Sequence, residues 1–241
     1  SVNFSGAVNA ASNVTVNAND NIGASATITL TAGALTLNAD VDADDPGTAT
    51  LSGVITNTGR TVTINARDLA LSADIDAATI VLQASGNRVI DYGNTLGSVG
   101  SNQFDISSTE VGHLDETAQI QLDTGGNVLV DVNLAEAALD IDAAAVTFAG
   151  SVTTTVGGIT VTNSGTATVN GGVVSSGNVV FDGSGGIALN SGITATGSNI
   201  TFGTAVLVGA DATISTGGGA GGTITFSSTV NSTGGAHDLT L

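Results

Sequence analysis

A short phrase returns along the whole chain: apolar, polar, apolar, most often with Thr in the middle. It stands at Val14-Thr15-Val16, Ile28-Thr29-Leu30, Leu35-Thr36-Leu37, Val62-Thr63-Ile64, Ile80-Val81-Leu82, Ile120-Gln121-Leu122 and onward to Leu239-Thr240-Leu241. Successive side chains of a strand point to opposite faces, so the outer letters of each phrase face one way and the middle letter the other. Each phrase therefore predicts a short, half-buried strand, which β-branched residues and Thr favour. No helical periodicity competes with this pattern.

The spacing of the phrases predicts the fold. Those that start at Leu139, Ile159, Val179, Ile200 and Ile224 follow one another at steps of 20, 20, 21 and 24 residues, with Gly, Asn and Ser between them. Short strands repeated at such a period form coils that cannot bury their own inner face and must stack on a neighbour. The expected core ladder is Leu139 and Ile141, Ile159 and Val161, Val179 and Phe181, Ile200 and Phe202, Ile224 and Phe226. The expected fold is all-β, a parallel β-solenoid of about 12 coils of roughly 20 residues, about 60 Å long at the usual strand spacing. An antiparallel sandwich shows the same alternation but normally has an aromatic-rich core, and only 3% of this chain is aromatic.

The stretch "GNVVFDGSGGIALNSGITATGSNITF", Gly177 to Phe202, with its drifting coils and absence of Cys, resembles the β-helical shafts of filamentous haemagglutinin-like adhesins and autotransporter passengers of bacteria. The resemblance covers most of the chain except about residues 84 to 119. It implies a right-handed solenoid in a secreted, surface-attached rod used for adhesion or matrix building. The chain departs from that pattern in lacking both the NPNG-type segments of a secretion domain and a membrane barrel, so it corresponds to shaft alone.

Charge divides the chain. The net charge is −18, with three Arg and no Lys, and 18 of the 21 acidic residues lie at or before Asp142. A single solenoid over 1–241 is expected, acidic over 1–142 and neutral, rich in Gly, Thr and Ser, over 143–241. Nucleic acid and anionic membrane surfaces are excluded as partners by the shortage of cations. No apolar run is long enough to span a membrane. Strand phrases at Val2-Asn3-Phe4 and Leu239-Thr240-Leu241, without a polar cap, point to a partner that is either another copy joined end to end or the rest of a larger adhesin. The expected location is extracellular or on a bacterial surface.

Candidate chemistry is sparse. Asp40, Asp42, Asp44 and Asp45 fall within "NADVDADDPG", and alternate carboxylates of this kind can face one calcium ion, the only cofactor the sequence suggests. The EF-hand pattern then fails, because the sixth position is Asp45 rather than Gly and the twelfth is Leu51 rather than Glu. The irregular residues 84–119 hold Arg88, Tyr92, Phe104 and His113, the set expected to meet a partner if this segment protrudes from the rod. Carboxylate pairs such as Asp74/Asp76 and Asp140/Asp142 stand at a glycosidase-like spacing. They lack the aromatic and basic company that sugar chemistry needs, so no catalytic residue is assigned. Thr pairs such as Thr160/Thr162 would suit ice binding but keep no constant phase. The functional expectation is a structural, non-enzymatic extracellular rod. The alternative is a β-helix that binds carbohydrate through calcium, or ice, and a polysaccharide-degrading enzyme comes last.

Overall fold

A computed structural model describes residues 1–42, 47–94, 103–131, 133–218 and 221–241. Strands take 58% of the residues and helix 3%, so the protein is all-β, wound as a parallel β-solenoid of about 11 turns. The count falls just short of 12 because some coils are long. Asn21 bonds to Thr48 of the next coil 27 residues on, and Asp74 reaches His113 39 residues on. Two compact units divide the chain, Ser1–Gly126 and Asn127–Leu241.

In the first unit one sheet stacks Val2–Phe4, Ile22–Ala24, Thr48–Leu51 and Asp68–Leu71. A second starts with Val8–Ala10 and Ile28–Leu30 and continues through the long strands Ile55–Ala66, Ile75–Ala84 and Leu114–Asp123. Val14–Ala18 and Leu35–Ala39 form a further face that runs into the second half of Ile55–Ala66, with Leu35 opposite Val62 and Leu37 opposite Ile64. One strand here serves two faces, and Gly59, at a φ of 73°, takes the kink between them. The rhythm then breaks. Strand Gln103–Ser107 pairs in parallel with the earlier Val89–Asn94, aligning Phe104 with Ile90, Asp105 with Asp91 and Ile106 with Tyr92. A four-residue helix, Ser108–Val111, follows. Its capping box has Ser107 Oγ accepting from the Glu110 N–H while Glu110 Oε2 accepts from the Ser107 N–H.

The second unit is regular, with three strands to a coil and three sheets. In one sheet Leu139, Ile159, Val179, Ile200 and Ile224 stand in register, as do Ile141, Val161, Phe181, Phe202 and Phe226. The first four members of each ladder are at most 1% exposed, whereas Ile224 and Phe226 are half-buried. Phe181, Phe202 and Phe226 stack nearly parallel, with ring centroids 5.7 and 4.9 Å apart. Because each coil repeats the last, the same side chain meets its own kind one coil on, and flat rings stack where the register holds.

Corners need another device, because a turning chain cannot offer all its carbonyls to the next coil. Asn supplies it. Asn13 Oδ1 accepts from the Ala34 N–H (2.9 Å), Asn21 from Thr48 (2.8 Å), Asn133 from Ser151 (3.0 Å), Asn178 from Asn199 (3.0 Å) and Asn199 from Thr223 (2.9 Å). A side-chain carbonyl thus replaces the missing main-chain acceptor at no cost in charge. Glycine is required where coils approach most closely, as at Gly171, where a Cβ would run into the carbonyl of Gly150.

Candidate functional site

Of the acidic phrase 40–45, Asp40 is buried and Asp42 exposed. Asp40, in the left-handed region at a φ of 68°, turns its side chain fully inward. Ser85 Oγ donates to its Oδ2 at 2.5 Å, and Arg88 Nη1 lies 4.0 Å from the same oxygen. Asp42 sits exposed in a turn, and Asp44 and Asp45 lie outside the described residues. Asp40 thereby joins a groove of about 400 Å³ lined by Asn38, Asn65, Gln83, Ser85 and Asp123, with Gln83 Nε2 donating to Asp123 Oδ2 at 2.7 Å. The Arg88 cation supplies a counter-charge beside Asp40.

Within the irregular segment Arg88, Tyr92 and Phe104 are turned inward rather than displayed, which corrects the expectation that these three face a partner. Tyr92 and Phe104 are fully buried, and Arg88 is 8% exposed with Nη1 donating to the Ser85 carbonyl at 2.9 Å. The reason is alternation: Ile90, Tyr92, Phe104 and Ile106 occupy the inner positions of two paired strands and continue the apolar core. Of the four, His113 alone keeps substantial exposure, with Nδ1 2.7 Å from Asp74 Oδ1.

The site that sequence reasoning misses lies at the outer side of these strands. Strand Asp68–Leu71 ends one sheet and Gln103–Ser107 ends another, and among the described residues no main-chain ladder pairs the two. Carboxylates bridge the seam instead. Asp68 Oδ1 accepts from the Asp105 N–H (3.4 Å) and from the Leu69 N–H (3.0 Å), while Glu110 Oε1 accepts from the Leu71 N–H (2.9 Å). Asp68, Asp105, Ser107, Thr109 and Glu110 line a pocket of about 320 Å³ there. Asp105 is 4% exposed, and neither of its carboxylate oxygens has a hydrogen-bond partner among the described residues.

Burial pushes the Asp68 carboxyl above its ordinary value; the two N–H donors oppose the shift, and the neighbouring Asp105 and Glu110 charges add to it. At ordinary corners a neutral Asn carbonyl does the bridging. At the seam charged groups do it, with a like charge buried among them. The only sequence signal for this cluster is the Ser107-x-x-Glu110 capping box, since Asp68 and Asp105 stand 37 residues apart.

Among the described residues no group of three or more His, Asp or Glu side chains is placed to hold a metal ion, and no helix is long and apolar enough to cross a membrane. No family model, curated protein or solved structure matches the chain. What stands is an assignment of fold, a parallel β-solenoid.

Proposed function

We propose that this protein is a structural, non-enzymatic extracellular rod segment, of the kind used as a bacterial adhesin shaft or as a subunit of a fibre joined head to tail. The observation that carries this reading is the regular second unit. Its inner ladder repeats coil after coil in fixed register, while its outward positions mix Thr, such as Thr160 and Thr201, with small or apolar residues such as Ala188 and Val174. Such a surface is built for length and rigidity, since every added coil extends the same hydrogen bonding.

The edge coils support the same reading. Val2, Phe4 and Val8 on one side, and Ile224, Phe226 and Leu239 on the other, are apolar yet only half-buried, and Val230 is 39% exposed. Such edges are where a coil of another copy could add. Sedimentation and negative-stain microscopy over a range of concentrations, on wild type and on Phe226→Asp, test the proposal. End-to-end species that lengthen with concentration and vanish in the variant assign the edge to self-assembly. A monomer at every concentration rules out the fibre subunit and leaves the shaft reading. Turnover of any member of a polysaccharide panel would overturn the structural reading.

A further inference from the structure

We propose that the seam between strands Asp68–Leu71 and Gln103–Ser107 is a calcium site, with Asp105 and Asp68 as its protein ligands. The Asp105 carboxylate is costly as the fold holds it. Both of its oxygens are buried and unpartnered, and an ionised carboxylate in that state is among the costliest groups a fold can hold. Asp91 stands directly beside it in the parallel ladder and is itself 5% exposed, so two acidic side chains share one buried face. Asp68 and Glu110 add their charge to the same pocket. Buried Asp40, by contrast, has Arg88 beside it, whereas the charges that raise Asp68 are those of Asp105 and Glu110.

The donor set selects the ion. Oxygen is the only ligand type in the pocket, which argues for a hard cation and against zinc. Glu110 is already engaged, its Oε1 by the Leu71 N–H and its Oε2 by the Ser107 N–H and hydroxyl. That leaves both oxygens of Asp105 and the second oxygen of Asp68, which carries no hydrogen bond among the described residues, as direct ligands. Water entering the pocket of about 320 Å³ completes the shell. Calcium accepts such irregular, partly hydrated oxygen shells, whereas magnesium demands a near-regular octahedron. A bound ion would also join two strands that share no main-chain ladder, so it would act as a clip between coils.

The test uses the full chain and a built-in reporter. Tyr92 is the only Tyr, there is no Trp, and Tyr92 lies opposite Ile106, next to Asp105. Excitation of Tyr92 in the presence of terbium(III) is expected to give sensitised lanthanide emission that calcium displaces. Calcium at a hundredfold excess over Kd is expected to raise Tm by roughly 5–10 °C. Asp105→Asn abolishes both effects; should that variant not fold, Asp68→Asn is expected to weaken calcium binding by at least about tenfold, having lost a charged ligand. The triple variant Asp42→Asn, Asp44→Asn, Asp45→Asn leaves both effects intact. The proposal is overturned if calorimetry detects no calcium binding at millimolar concentration, if Asp105→Asn binds as the wild type does, or if the triple variant is the one that loses the ion.

Discussion

Asp68 shows how one side chain can hold two coils together and still strain them. Its Oδ1 takes two main-chain N–H groups, yet burial and two neighbouring acids raise its pKa. An acid whose pKa is higher in the folded protein than in the unfolded chain binds its proton more tightly when folded. It contributes stability below the unfolded value, and that stability is lost as pH rises through the raised, folded value. Asp68→Asn keeps the accepting carbonyl and removes the charge. In chelator at pH 7 the variant is expected to melt above wild type, the gap closing as pH falls through that window. A pH series of thermal melts checks this, and a variant that melts lower at pH 7 would show that the charged acceptor outweighs its burial cost. The seam was not legible in the sequence, because its three acids meet only once strand 103–107 has folded back beside strand 89–94. The same fold-back sends Tyr92 and Phe104 inward, although a break in rhythm reads naturally as a protrusion.

At the scale of the strand, alternation does nearly all the work. Thr201 and Phe202 are neighbours, but Thr201 is half-buried on the outside of its coil while Phe202 is fully buried between Phe181 and Phe226. Ile200→Asp or Phe202→Asp places an uncompensated charge in that ladder and is expected to cost about 3 kcal/mol or more. Thr201→Val is expected to change stability by less than about 0.5 kcal/mol. Melting followed by circular dichroism distinguishes the two classes, and a reversal would invert the inside-outside assignment. These positions were readable from the chain because a two-residue period and a coil of about 20 residues agree at every phrase from Leu139 to Ile224. The long strands Ile55–Ala66 and Ile75–Ala84 were less legible, since residues such as Asn57, Gly59 and Arg60 have turn character. The pairing of both halves with neighbouring coils overrides it.

At the scale of the whole molecule, charge is the dominant variable. A chain with a net charge of −18 and three cationic side chains repels its copies at low ionic strength. If edge coils join copies, light scattering should show association rising between roughly 10 and 150 mM salt, as the screening length falls from about 30 to about 8 Å. Association that weakens with salt would point instead to charge-pairing contacts.

The Asn bridges at the corners also have a direction. In each, the side-chain oxygen belongs to the earlier coil and the N–H to the later one. At these corners each coil therefore looks forward with side-chain acceptors and backward with main-chain donors, as a row of hooks faces a row of eyes, while the main-chain ladders carry donors and acceptors both ways: the Val8 N–H donates forward to Thr27 and the Ser25 N–H back to Phe4. Two stacks brought together front to front would set corner oxygen against corner oxygen. The corners, more than the ladders, give the stack its polarity.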